Sequence, residues 1–198
     1  MFRLLLIGLL VVASGCGGAS TTAPTAPSAV PSPTPAASSV PPSANQTVWA
    51  GSRTLTSVTG GECVGPVFAA KIGSASAYDL RVTQNGSSLT AVATDRKTGF
   101  TVKYTGTLEG ASMSLTLSPG FSWSPGTFPY EDFACGDGQV RDVWLGGSTI
   151  TATVNGNTVT GTVVEPYDVM VAEMVGFTRY YLSDVGELVL TSSFVLTR

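Results

Sequence analysis

Histidine is absent from the 198 residues, and cysteine occurs only three times. Without an imidazole to carry the proton, the Ser-His-Asp and Cys-His nucleophile systems are excluded. The same absence, with no Cys-x-x-Cys pair, leaves no ligand set for a structural or catalytic zinc, so no metal and no cofactor is expected. Charge is sparse: ten Lys and Arg stand against thirteen Asp and Glu, a net charge of −3 with no runs of one sign. A chain without a basic patch has nothing to displace counterions from a phosphate backbone, which argues against nucleic acid as a partner. Long apolar runs are missing too. The longest, Leu4 to Ala13, is broken by Gly8 and falls short of the roughly 20 residues that cross a hydrocarbon core as a helix.

That short run follows Met1-Phe2-Arg3, a positive n-region, and reads as a signal peptide over residues 1–15. It ends in Val12-Ala13-Ser14-Gly15-Cys16, which resembles the lipobox of bacterial lipoproteins. Ser14 and Gly15 supply the small residues that pattern demands before its cysteine; Ala13 stands where leucine is commonest. The resemblance implies cleavage before Cys16, acylation of its sulfur and a membrane partner reached through that lipid. One acyl chain binds a bilayer only marginally, whereas the two or three of a lipoprotein hold it stably. Gly17 does not supply the aspartate that retains some lipoproteins at an inner membrane. The implied location is the bacterial cell envelope, at the outer membrane.

Residues 16–46 then change composition to Ala, Ser, Thr and Pro, with Pro24, Pro27, Pro31, Pro33, Pro35, Pro41 and Pro42 and no charge. Such a stretch cannot bury enough apolar surface to offset the entropy of ordering it. It is expected to be a disordered tether with polyproline character, reaching about 3.1 Å per residue at full stretch.

The remainder, residues 47–198, has the size of one domain with one core. Cys63 and Cys135 form an even pair that export would place in an oxidising compartment, so a disulfide is expected. Closing a loop of about seventy residues would stabilise by about 4 kcal/mol on the chain-entropy account. The periodicity is two. Tyr78-Asp79-Leu80-Arg81-Val82-Thr83, Phe100 to Thr105, Met113 to Ser118 and Thr149 to Val154 all alternate apolar with polar residues, as half-buried strands do. Asn85-Gly86, Glu109-Gly110, Asn155-Gly156 and Thr98-Gly99 mark reversals between them. Strands are expected near residues 47–58, 77–84, 87–94, 100–106, 112–118, 140–145, 148–154, 158–164, 167–174 and 187–197. Residues 66–73 make the one plausible short helix. The fold class is all-β, an antiparallel up-and-down meander, and closure into a β-barrel hides its edges most completely.

Trp49 lies on the first strand and Arg198 ends the last, and strand parity turns both inward. This resembles the lipocalins and calycins, in which a tryptophan on the first strand packs under an arginine near the chain's end and closes one mouth of the barrel; a guanidinium on an indole face has its basis in the ring quadrupole. The resemblance covers the two ends only, and Thr47 stands where that family has glycine. An immunoglobulin-type sandwich is the rival, but no tryptophan follows Cys63 closely and no tyrosine stands two residues before Cys135.

The best candidate for function is the loop from Pro119 to Gly138, long for a hairpin connection and rich in Phe121, Trp123, Phe128, Tyr130 and Phe133. Aromatic faces there suit apolar ligands or sugar rings. Met170, Met174, Phe177, Tyr180 and Tyr181 would line the same mouth or finish the core. Ala91, Ala93, Ala152 and Gly161 are small enough to leave room inside a barrel. The carboxylates Glu131, Asp132, Asp137 and Asp142 gather around Cys135, but no catalytic or calcium-binding spacing is met. The leading expectation is a non-enzymatic, membrane-anchored binder of a small apolar or amphipathic ligand. The alternatives are a module that docks an envelope protein through its aromatic loop or threonine-rich outer face, and, ranked lower, a carboxylate-based hydrolase.

Overall fold

The computed structural model describes residues 45–120, 133–175 and 178–198. The signal peptide, Cys16 and nearly all of the tether lie outside them. The described residues form β1 (Asn45–Gly60), α1 (Gly65–Ala69), β2 (Ala75–Asn85), β3 (Ser88–Asp95), β4 (Thr101–Glu109) and β5 (Ser112–Leu117). There follow β6 (Phe133–Ala134), β7 (Val140–Leu145), β8 (Thr149–Asn155), β9 (Thr158–Val175) and β10 (Thr178–Thr197). β1 starts at Asn45, two residues before the expected domain boundary. Among the described residues, no helix is long and apolar enough to cross a membrane.

Every pairing is antiparallel, and the hydrogen bonding returns on itself. The order β10-β1-β2-β3-β4-β5-β8-β9 is closed by the pairing of β9 with β10, so eight strands form a ring. Three of its hairpins turn on two residues: Asn85 pairs with Ser88, Glu109 with Ser112 and Asn155 with Thr158. Gly86, Gly110 and Gly156 each open the turn at φ near +60°, while the residue after each keeps a negative φ, the type II′ arrangement. Asn85 and Asn155 are thus the last paired residues of their strands rather than the first of the turn.

The meander is interrupted once. β6 and β7 lie between β5 and β8 in the chain, and β7 pairs with β9 beyond the stretch that β8 uses. β7 and β8 therefore run end to end along one edge of β9, separated by Gly146, Gly147 and Ser148. The amides of Gly146 and Gly147 both bond to the carbonyl of Pro166 there, at 2.9 and 3.2 Å. The two strands expected at 158–164 and 167–174 are consequently one. β9 and β10 continue past the ring as a long ribbon, with register shifts in β10 between Tyr181 and Ser183 and between Asp184 and Gly186. Among the described residues, no strand pairs with the outer edge of β10 from Thr178 to Gly186.

Inward alternation fills the ring. Trp49, Tyr78, Leu80, Tyr104, Met113, Leu115, Ile150, Val163, Phe194 and Leu196 form its core with smaller residues between them. Tyr104 lies across from Ala91, Leu80 from Ala93, and Phe194 from Gly161, so each small residue is matched by a large one and the room it leaves is occupied. Fully burying a side chain such as Leu115 or Ile150 contributes about 1.5–3 kcal/mol.

A second core sits beyond the ring, where β1 and β10 run on without β2. Val64, Val143, Leu145, Tyr167, Val169, Leu188 and Leu190 pack there beneath α1, joined by Leu55, Phe68 and Phe133. The helix expected at 66–73 is α1, shortened to five residues and begun with Pro66 in its first turn. Cys63 and Cys135 come to disulfide distance, Cα–Cα 5.8 Å, and link the end of β1 to the end of β6. Arg141, 6% exposed, fastens both loops: Nη2 meets Asp137 at 2.7 Å and Nε faces Glu62 at 3.8 Å.

Candidate functional site

β1 pairs with β2 only as far as Thr54 and Ala75, yet it follows β10 to Gly60. Where β1 parts from β2, the chain between them is held by two bonds, from Leu55 N to Ser74 O at 3.1 Å and from Gly73 N to Leu55 O at 2.8 Å. The divergence opens a cleft of about 510 Å³ at the end of the ring, within the range of small-molecule sites. Leu55, Phe68, Phe133, Val143 and Leu190 make its apolar wall. Phe68 and Phe133 touch at a centroid separation of 5.5 Å, tilted by 47°. The β3–β4 turn brings Asp95, Lys97 and Thr98 to the mouth, with Lys71 after α1. Asp95 shapes that turn, since its Oδ1 accepts from the amides of Lys97 at 2.9 Å and Thr98 at 3.1 Å.

The floor is charged. Arg53 of β1 reaches Glu165 of β9 with both terminal guanidinium nitrogens, Nη1 donating to Oε1 at 3.1 Å and Nη2 to Oε2. The two side chains are 18% and 3% exposed. Burial alone would lower the pKa of Arg53, but the adjacent carboxylate overrides it and holds the guanidinium charged far above its ordinary range. Arg53 also lies over the ring of Tyr78, 5.6 Å from its centroid. Three phenols surround the pair, and burial, with Tyr104 beside Tyr78 and Glu165 beside Tyr104 and Tyr167, pushes each above its ordinary value. Tyr104 shares a 2.7 Å hydrogen bond with Ser148, whereas the hydroxyl of Tyr78 is buried with no partner among the described residues. Ser192, 1% exposed, completes the floor.

Of the aromatic loop residues expected to bind ligand, Phe133 lines this cleft; Phe121, Trp123, Phe128 and Tyr130 lie outside the described residues, as do Glu131 and Asp132. Tyr180 and Tyr181 of the second aromatic group do not line it. Tyr180 and Tyr181 are exposed on the β9–β10 ribbon, where Tyr181 meets Trp144 edge-on at 5.1 Å, and Phe177 is outside the described residues.

Trp49 is buried in the ring as parity requires, but Arg198 is not its partner. β10 ends at Thr197, so the alternation that would turn residue 198 inward stops before it. Arg198 is exposed, its amide bonding Asn157 O at 3.0 Å and its Nε donating to Asn157 Oδ1 at 2.9 Å. Asp137 and Asp142, the described carboxylates near Cys135, do not converge either. Asp137 accepts from the Gln139 amide at 2.9 Å and from Arg141, which together hold its carboxyl below the ordinary range. Asp142 is buried against Arg179 at 2.5 Å. Among the described residues, no group of three His, Cys, Asp or Glu is placed to hold a metal ion.

No family model, curated protein or solved structure matches this chain. The site is therefore read from its own geometry. Arg53 and Glu165 went unremarked in the sequence, although a signal was present: Arg53 shares the inward parity of Trp49 and Leu55, and Glu165 that of Val163 and Tyr167.

Proposed function

We propose that this chain is a lipid-anchored protein of the bacterial cell envelope, whose all-β domain is a closed, lipocalin-like barrel that binds a small amphipathic ligand without transforming it. Cys16 carries the lipid, and the tether holds the domain away from the bilayer surface. The observation that supports binding is the cleft at the end of the ring, in which an apolar wall faces a buried ion pair. The ring's own interior is filled by its side chains, so the ligand's place is the cleft and not the centre of the barrel.

Native mass spectrometry after mild extraction from membranes tests the whole reading. The expected species begins at Cys16, carries a diacylglyceryl group, and keeps one small molecule in stoichiometric amount. An unmodified amino terminus would remove the anchor; a protein that arrives empty and takes up no amphiphile would remove the ligand.

A second reading, docking of another envelope protein, is favoured by the exposed apolar side chains of the ribbon, Val175, Tyr180, Tyr181 and Leu182. Crosslinking in intact cells tests it, and recovery of the monomer alone would count against it.

A further inference from the structure

The floor of the cleft narrows the chemistry of the ligand. A guanidinium has five N–H donors, of which Glu165 takes two. An ionised carboxylate accepts at about four positions, and Arg53 occupies two of those on Glu165. Among the described residues, donors of Arg53 and an acceptor position of Glu165 thus stand unused at the bottom of a cleft that Ser192 also lines.

A purely apolar ligand seated on this floor would strip water from those groups and replace none of its hydrogen bonds. An anionic head would find Arg53 already neutralised and Glu165 repelling it; a cationic head would meet the reverse. Of the rim lysines, Lys97 is exposed to solvent, where salt screens it, and the ammonium of Lys71 lies over the Phe68 ring, 5.1 Å from its centroid. A group that both donates and accepts from neighbouring atoms, without net charge, satisfies both sides of the floor. Hydroxyls on adjacent carbons do this. Phe133, with Leu55 and Val143, offers an apolar surface to the C–H face of the same molecule.

We infer that the cleft binds an uncharged sugar ring, with its hydroxyl edge on Arg53, Glu165 and Ser192 and its C–H face on Phe133, Leu55 and Val143. This rests on the reading that the cleft holds an amphipathic ligand, a class to which a sugar ring belongs.

Isothermal titration of the mature lipidated protein, held in an amine-oxide detergent that carries no sugar, provides the test. The probes are phenyl β-glucoside, β-galactoside, α-mannoside and N-acetyl-β-glucosaminide, with phenyl β-glucuronide and octanoate as anionic comparators and Nile red as a neutral apolar one. At least one uncharged glycoside is expected to bind about tenfold or more tighter than the glucuronide and octanoate, because a site lined with hydrogen-bonding groups discriminates by the pairs it completes. Equal or tighter binding of either anion overturns the inference. Nile red binding with no glycoside binding overturns it too, while leaving the amphipathic-ligand reading in place. Binding of no probe overturns both.

The paired change Arg53→Met with Glu165→Leu is expected to weaken the glycoside about tenfold or more and to retain Nile red, since it replaces the polar floor by an apolar one of similar volume. Should that variant not fold, Ser192→Ala removes a single hydroxyl and is expected to weaken the glycoside about threefold with octanoate unchanged. An unchanged glycoside affinity in the variant that folds overturns the inference.

Discussion

Arg53 and Glu165 meet nitrogen to oxygen at both prongs, although 112 residues separate them in the chain. They join β1 to β9 across the strand that lies between, β10. Inward parity puts both on the same side of the sheet as the core, so the ion pair marks the level at which the packed ring ends and the cleft begins.

Breaking the pair from one side is expected to be costly. Arg53→Met leaves the Glu165 carboxylate buried without its partner, a loss of about 3–5 kcal/mol, whereas adding Glu165→Leu recovers most of it. Urea denaturation of the two variants checks this. A single variant as stable as the parent would mean that water reaches Glu165 freely.

Removing the link between Cys63 and Cys135 acts on a loop with a sequence separation of 72. Cys63→Ser together with Cys135→Ser is expected to lower stability by about 4 kcal/mol on the chain-entropy account. Thermal unfolding with and without reductant measures it. The parent is expected to lose stability on reduction, and the double variant to be indifferent.

Gly161 is a test of how closely the ring is filled. A Cβ there would lie 2.6 Å from the Cβ of Ala152 and 2.4 Å from the carbonyl oxygen of Thr151, which is backbone and cannot swing away. Gly161→Val is therefore expected to destabilise by about 1–3 kcal/mol or more through overpacking. Gly86→Ala meets no atom, and its cost is confined to the positive φ of the turn. Equal loss in both, by chemical denaturation, would contradict a filled interior.

Alkali is expected to unfold the domain in step with its tyrosines. Tyr78, Tyr104 and Tyr167 have folded-state values raised by burial above that of a free phenol. A raised folded value means that the native state holds its protons longer than the unfolded one, so stability is intact below about pH 10 and falls as pH climbs past it. Absorbance near 295 nm and near-ultraviolet circular dichroism, followed together, report the event. Half of the six tyrosines are expected to ionise only as the dichroism is lost.

Most of the strands could be read from alternation alone, because a half-buried pleat demands it. Met113 to Leu117 and Thr149 to Val154 show it without exception, and β5 and β8 lie there. The failures have particular causes. Strands were expected at 158–164 and 167–174; Pro166 between them, which has no amide hydrogen, is accommodated within β9 because β7 and β8 are themselves interrupted opposite it and need only its carbonyl. β10 was expected to start at residue 187 and starts at Thr178, since two register shifts scramble the alternation of Tyr180 to Gly186. β6, only two residues long, has no period to detect. Arg198 was placed inward by carrying parity one residue past the end of its strand. Of the cleft, Phe133 was legible from its aromatic neighbourhood; Arg53 and Glu165 were not, because each sits on a different strand and only the closed topology brings them together.

The outer edge of β10 carries a consequence beyond this one molecule. A straight, unpaired strand offers a row of amides and carbonyls on which a second chain can crystallise, copy after copy, into a filament. Between Thr178 and Gly186 that row is broken twice, and Gly186 turns through a φ of +136° with its amide engaged by Asp184. A second strand laid along this stretch would meet no continuous template.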